Sequence, residues 1–267
     1  KMTVQGATDD QRAKIAALRD ALSIEVAAKL EGNGGETLND TTLRRWLVAR
    51  KWDVQLATKD LTDHAEWRAS FVGPAGRIPD ADVQSELEQK KAFLQGVDKG
   101  GHPTIIVVGG RHVPPKDVNA TKKFIVYCLD AAIRLGEQNS PTWDGKCVGI
   151  FDLSAMTLAN GDVAALRAVF DLLQNHYVER LHRMILYCAP VIFWGIWKLV
   201  SPFVDPVTKE KVIFVYKEDA ADKFQHDYEP QVLPADLGGS GEYKCVSLTW
   251  RELEARAGGD QVAPSAQ

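Results

Sequence analysis

The chain has no apolar run long enough to cross a membrane. Its most hydrophobic stretch, Met184 to Trp197, is bounded by Arg183 and Lys198 and interrupted by Pro190. A spanning helix needs roughly 20 predominantly apolar residues. An excess of positive charge is also missing: 32 Lys and Arg against 36 Asp and Glu give a formal charge of -4. That balance removes the broad basic face on which nucleic-acid affinity rests, so no nucleic acid is expected as a partner. Cysteine is scarce. Cys128, Cys147, Cys188 and Cys245 lie far apart in apolar contexts without C-x-x-C spacing, a pattern of reduced, buried thiols in a cytoplasmic protein rather than of a zinc or redox centre. No secretory leader is legible at the start, where Lys1 precedes Met2, and an earlier-removed leader is left open.

The catalytic signatures of α/β proteins are absent as well. The sequence contains no G-x-S-x-G elbow, no G-x-x-x-x-G-K-[ST] phosphate loop and no G-x-G-x-x-G between a strand and a helix. His64-Ala65-Glu66 matches half of a deaminase motif whose P-C-x-x-C partner is missing, so His64 is read as a solvated helix residue. His102, His112, His176, His182 and His226 are scattered and show no i,i+4 companion in a metal-ligand arrangement. Neither a metal, a cofactor nor enzymatic activity is expected, and a hydrolase remains the enzyme alternative.

What is present is an ordinary globular composition: 267 residues, 45% hydrophobic and 25% charged. Thr8-Asp9-Asp10-Gln11 forms a capping box ahead of a helix reaching Leu30, which Gly32-Asn33-Gly34-Gly35 breaks. Asn39 or Asp40 caps a second helix and Asp53 a third, giving a helical unit over residues 1–76 that ends at the Gly73-Pro74-Ala75-Gly76 linker. Strands then alternate with helices over 77–257, which predicts a largely parallel sheet of the α/β class. Phe93–Val97 and Thr104–Val108 flank the Asp98-Lys99-Gly100-Gly101 turn as a hairpin. Pro115 opens a helix that Gly136 closes, Val148–Leu153 is a strand, and Asp162 to about Gln174 a helix. Ile185–Cys188 and Val212–Tyr216 are further strands, Cys245–Trp250 a late strand or edge, and Gly258–Gln267 an unordered tail.

Glu179 to Lys211 carries most of the functional information. Strand-like Met184–Cys188 gives way at Ala189-Pro190 to Val191–Val200, where Phe193, Trp194, Ile196, Trp197 and Leu199 cover nearly every side of a helix that requires apolar partners all round. An ordinary core helix and a movable wall over an aliphatic ligand fit that pattern equally.

Leu43-Arg44-Arg45-Trp46-Leu47-Val48-Ala49-Arg50-Lys51-Trp52-Asp53-Val54 and Trp67-Arg68 resemble the N-terminal helical motif of the CRAL-TRIO lipid-binding family. Gly96 to Pro103, Phe151-Asp152-Leu153-Ser154, Asn175 to Leu181, Ala189-Pro190, Pro202 to Thr208 and Leu233 to Gly239 follow in the family's order. The branch most resembled is the yeast-type phosphatidylinositol transfer proteins. The resemblance implies the CRAL-TRIO fold: a mainly parallel sheet with helices and a gate helix, preceded by a small all-helical domain. A phospholipid would lie in an apolar pocket closed by a gate at Phe193, Trp194, Trp197 and Phe203. It also implies that Arg50, Lys51, Glu179, Thr208 and Lys211 hold an inositol phosphate headgroup: lysines neutralise phosphate, Thr208 donates a hydrogen bond and Glu179 accepts from ring hydroxyls. Tyr127, Cys147 and Gly149 would line the pocket. Ile105, Leu94, Cys147 and Gly149 stand where phosphatidylcholine carriers of the branch present hydroxyl residues, so weak phosphatidylcholine transfer is expected. The implied protein is a cytoplasmic monomer, peripheral at membranes, with bound phosphatidylinositol and transient membrane contact. The alternative is a carrier or sensor of a sterol, tocopherol-like, retinoid or haem ligand.

Overall fold

The computed structural model of the chain describes residues 7–32 and 37–259. It divides into two compact units, one comprising Lys1–Pro79 with Asp171–Glu179 and the other Asp80–Phe170 with Arg180–Gln267.

The first unit is helical: α1 (Asp9–Ala21), α2 (Ile24–Gly32), α3 (Asp40–Ala49) and α4 (Val54–Phe71). The Thr8 capping box forms as read, with Thr8 Oγ1 accepting from the Gln11 amide and Gln11 Oε1 from the Thr8 amide. One helix through Leu30 was the expectation, and two are found. Leu22 turns extended and the Ser23 hydroxyl caps a new start by accepting from the Val26 amide at 3.2 Å. The Asn33–Gly35 break lies outside the described residues. Asn39 and Asp53 cap α3 and α4 through their side chains. Leu18, Leu30, Leu43, Trp46, Leu47 and Leu61 converge in a core that Val178 joins, each such side chain contributing about 1.5–3 kcal/mol.

His64 corrects the sequence reading. It is buried, because its place three residues after Leu61 on α4 turns it inward with Ala57, Ala65 and Arg68. Its ring meets Trp46 and Trp67, and its Nδ1 lies 3.3 Å from His176 Nδ1. His176 in turn stacks on Trp67 with ring centroids 3.7 Å apart. Burial lowers the His176 pKa from 6.5 to about 4, since charging an imidazole between aromatic rings forfeits its hydration. The unfolded chain therefore binds this proton from about pH 6.5 downward, whereas the folded chain resists until about pH 4. The contribution of His176 to stability is fully present above pH 6.5 and is lost as pH falls toward 4. Denaturation midpoints measured across that window should decline in the parent, and His176→Phe should flatten the decline. An unchanged slope would remove His176 as its cause.

The second unit holds α5 (Gln84–Glu88), β1 (Ala92–Val97), β2 (Pro103–Val108), α6 (Val118–Asn139), β3 (Cys147–Asp152), α7 (Val163–Asn175, of which residues from Asp171 on belong to the first unit), β4 (Leu181–Tyr187), α8 (Val191–Val200), α9 (Pro206–Glu210), β5 (Val212–Val215), α10 (Lys217–Asp227) and α11 (Val246–Gly259). The strands form one sheet in the order β1-β2-β3-β4-β5, antiparallel at β1/β2 and parallel elsewhere, the architecture expected from the alternating pattern. Two elements differ. α6 begins at the Asp117 cap rather than at Pro115 and passes through Gly136, where a side chain would strike the Trp143 ring. Cys245–Trp250 is not a strand: Cys245 makes a lone bridge to Phe93, and the chain then turns helical with Val246, Trp250 and Leu253 buried at helical spacing. α11 extends to Gly259, and the expected tail beyond it lies outside the described residues.

A buried polar network sits where α5 meets β1. The Lys91 ammonium donates to Glu86 Oε2, to Gln89 Oε1 at 2.8 Å and toward His112 Nδ1 at 2.7 Å. Thr121 donates to the other Glu86 oxygen, and His112 Nε2 lies 3.1 Å from Asp162. Burial lowers the pKa of Lys91 despite the carboxylate beside it.

Candidate functional site

Successive strand residues face opposite sides of a sheet, and here the two sides differ. One is sealed: Ile106, Val108, Val148, Ile150, Ile185, Tyr187 and Val215 pack beneath Ala220 and Phe224 of α10 and beneath Leu233 and Leu237. The other carries two apolar rows fixed by strand register. Leu94, Ile105, Gly149, Met184 and Val212 are cross-strand partners in the first, and Ala92, Val107, Phe151, Leu186 and Phe214 in the second. Val107, Gly149, Phe151, Val212 and Phe214 remain only partly buried although three of the five lie on interior strands. A greasy sheet face left partly accessible in its middle is suited to an aliphatic guest.

Cys147 and Gly149 lie on this face, with Ile105 and Leu94. Burial pushes the Cys147 thiol up to about 12, so it is a neutral, small apolar group. A side chain at Gly149 would press on the Phe151 ring. Tyr127, on α6, is wholly buried beside Trp250, and its hydroxyl donates to Asp80 at 3.0 Å.

Helix α8 follows β4 and covers the β5 end of the accessible face. Trp194 stacks on Phe214 at 4.4 Å, and Trp197 meets Phe214 edge-on and Phe170 at 5.9 Å. The requirement for apolar partners all round is not met. Only Phe193 and Val200 of α8 are buried, while Val191 is 88% and Leu199 61% exposed. Phe203 and Val207 continue the exposed apolar strip into the following turn, with the Arg167 guanidinium 4.3 Å over the Phe203 ring. Within α8 a side chain at Gly195 would meet nothing.

The residues matched to a headgroup role fall in both units. In the first, Arg50 pairs with Asp60 and lies 5.9 Å over the Trp46 ring, whereas Lys51 is exposed. Glu179 is partly buried. The Arg45 guanidinium donates to the Val178 carbonyl at 2.5 Å, which ties the segment ending at Glu179 to α3, the helix that leads into Arg50 and Lys51. Lys51 and Glu179 have φ of 52° and 54°, a left-handed conformation that costs a side-chain-bearing residue roughly 1–2 kcal/mol. In the second unit the single turn of α9 brings Thr208 and Lys211 together: Asp205 caps the helix through the Thr208 amide at 2.9 Å, and the Lys211 amide donates to the Thr208 carbonyl at 3.1 Å. The Lys211 carbonyl then accepts from the Met184 amide at 2.8 Å, so β5 is registered from this residue onward.

One cluster escaped the sequence reading. His102 does have a carboxylate companion four residues earlier: its Nδ1 lies 3.0 Å from both oxygens of Asp98, and its Nε2 lies 3.4 Å from Asp144. These two carboxylates raise the His102 pKa to about 9. The Asp98-x-x-x-His102 spacing was visible; His182, which stacks on His102, is remote in sequence and only β4 pairing brings it there.

Comparison with known proteins agrees with this architecture. Residues 87–239 match the model of the CRAL/TRIO domain. A CRAL-TRIO domain-containing protein of Schizosaccharomyces pombe is 35% identical over 170 residues, covering 64% of this chain and 16% of the relative. The phosphatidylinositol transfer protein CSR1 of Eremothecium gossypii is 28% identical over 215 residues, 76% of this chain and 48% of its own. The chain thus spans a sixth to a half of the length of these first relatives. The crystal structure of Sfh5 superposes with a TM-score of 0.66 over 97% of this chain and 100% of that one, at 17% identity, a likeness of fold. Among the described residues no helix is long and apolar enough to cross a membrane.

Proposed function

Because the chain belongs to the CRAL/TRIO domain family, we propose that it binds phosphatidylinositol with its acyl chains against the accessible sheet face and exchanges it at membranes, with α8 as the gate. The observation that carries this reading is the asymmetry of the sheet: one face sealed, the other apolar, registered and partly open beneath a helix with an exposed apolar strip. Moving a methylene from water onto such a surface gains about 0.8 kcal/mol, so a diacyl lipid gains enough to leave a bilayer only where its chains are enclosed. The strip from Val191 through Leu199, Phe203 and Val207 supplies the transient, peripheral membrane contact. No covalent step is involved, and the carrier acts as a monomer.

The proposed headgroup residues divide by the chemistry each side chain offers. Lys51 and Lys211 take the phosphate, Thr208 donates to it, and Glu179 accepts from inositol hydroxyls. Arg50, committed to Asp60, holds the adjoining turn and adds field rather than a direct bond. The left-handed backbone at Lys51 and Glu179 supports the assignment, since strain of this kind persists where the surrounding structure fixes a functional geometry. The names of the relatives point the same way: CSR1 of Eremothecium gossypii and PDR17 of Saccharomyces cerevisiae, the latter 27% identical over 212 residues, are phosphatidylinositol transfer proteins.

Mass spectrometry of lipid extracted from the purified chain tests the reading. Phosphatidylinositol should be recovered at near-stoichiometric yield, with phosphatidylcholine minor because Leu94, Ile105, Cys147 and Gly149 offer that headgroup no side-chain hydroxyl. Recovery of a sterol, retinoid, tocopherol-like compound or haem in place of phospholipid would overturn it.

A further inference from the structure

We propose that Asp98, His102 and His182 form a binding site for a divalent transition-metal ion of the zinc class, separate from the lipid-binding face. Strands β2, β3 and β4 are parallel, so their first residues share one edge of the sheet. β4 enters the gate helix from the opposite end. The β1–β2 turn places Asp98 and His102 at that edge, the approach to β3 adds Asp144, and His182 is the second residue of β4. One ligand atom from each of Asp98, His102 and His182 lies within 4.8 Å of the others. Donors held about 2.0–2.2 Å from zinc in a tetrahedral shell stand roughly 3.3–3.6 Å apart, so an ion would widen the 3.0 Å Asp98–His102 contact slightly and draw the remaining donor, now within 4.8 Å, inward.

The contacts already divide the labour. Asp98 Oδ1 accepts from the His102 amide at 2.8 Å, which fixes the turn, while Oδ2 lies 3.0 Å from His102 Nδ1 at the spacing of neighbouring ligands. On the far side of the ring, Asp144 Oδ2 at 3.4 Å from Nε2 can accept its N–H and hold the imidazole's orientation, the usual outer partner of a metal-bound histidine. Two imidazoles and a carboxylate suit zinc, copper or nickel rather than magnesium or calcium. Asp98 and His102 side chains are 7% and 12% exposed, whereas Asp144 is 46% exposed, so the cluster is enclosed but reachable from solvent. The His102 and His182 rings are stacked, with centroids 3.9 Å apart and planes 12° apart. Binding therefore turns the His182 ring out of the stack to aim a nitrogen at the ion.

Isothermal titration of the chelator-treated full chain with zinc chloride, against magnesium chloride, tests the site. One zinc per chain is expected, with affinity at least tenfold weaker in His182→Ala and unchanged in His226→Ala. Circular dichroism checks that each variant is folded, and cobalt(II) absorption should report a tetrahedral shell that His182→Ala abolishes. Zinc binding no tighter than magnesium, or equal in parent and His182→Ala, would overturn the proposal. His102→Ala is a second probe where it folds. Lipid recovery is read separately, so failure of either reading is distinguishable from failure of the other.

Discussion

Lys211→Ala is expected to abolish phosphatidylinositol transfer between vesicles while leaving the fold intact, and Glu179→Ala to do the same. Lys211 caps a one-turn helix through its backbone, so truncating its side chain leaves the α9 hydrogen bonds in place. A charge-assisted contact to phosphate contributes about 1.5–3 kcal/mol, and tenfold in affinity corresponds to about 1.4 kcal/mol. Loss of roughly ten- to more than a hundredfold follows, which a vesicle transfer assay reads as near-complete inactivity. In the proposed assignment Glu179 accepts from the hydroxyls rather than the phosphate, so its truncation should also narrow the preference for phosphatidylinositol over other anionic phospholipids. Transfer at parental rate in both variants would discard the headgroup assignment without touching the fold. Unaltered circular dichroism is needed for either result to count.

The largest loss of stability is expected at Glu86. Its side chain is 1% exposed and that of Lys91 4%, so Glu86→Ala strands an ammonium in the interior with the neutral Gln89 and His112 as hydrogen-bond partners and the Phe124 ring 5.4 Å away. Removing one partner of a buried pair costs about 3–5 kcal/mol, which for a chain of this size lowers the melting temperature by roughly ten degrees. The double variant Glu86→Ala/Lys91→Met should recover much of that loss, because no charge is then left buried. A cost under about 1 kcal/mol for Glu86→Ala would mean that water reaches the pair.

Much of the molecule could be read from the sequence because local and long-range signals agreed. Thr8, Asn39 and Asp53 mark helix starts by hydrogen bonds made within three residues, and the α/β alternation gives a parallel sheet whatever the detail of its register. The Val191–Val200 bounds were legible from Pro190 and Ser201-Pro202. What failed depended on partners distant in the chain. Cys245–Trp250 has the composition of a strand, yet only one bridge to β1 forms before helical packing against α6 and β1 prevails. His64 reads as solvated until the Trp67–His176 stack and Trp46 enclose it. Lys91 and Glu86 are an unremarked charged pair in sequence; α6 and the approach to α7 turn them into an interior network. The accessible sheet face likewise rests on cross-strand register, which single-strand patterns do not contain.

The junction between α9 and β5 has a consequence for how such a carrier can diversify. Lys211 is followed at once by Val212, whose side chain belongs to the same apolar row as Gly149 and Met184. Inserting or deleting one residue here would rotate the strand half a period, turning Ile213 outward and Phe214 inward. If Lys211 holds the headgroup as proposed, head recognition and tail storage are geared together by a single peptide bond. New lipid preferences should arise by exchange of side chains at this point, and indels there should be selected against.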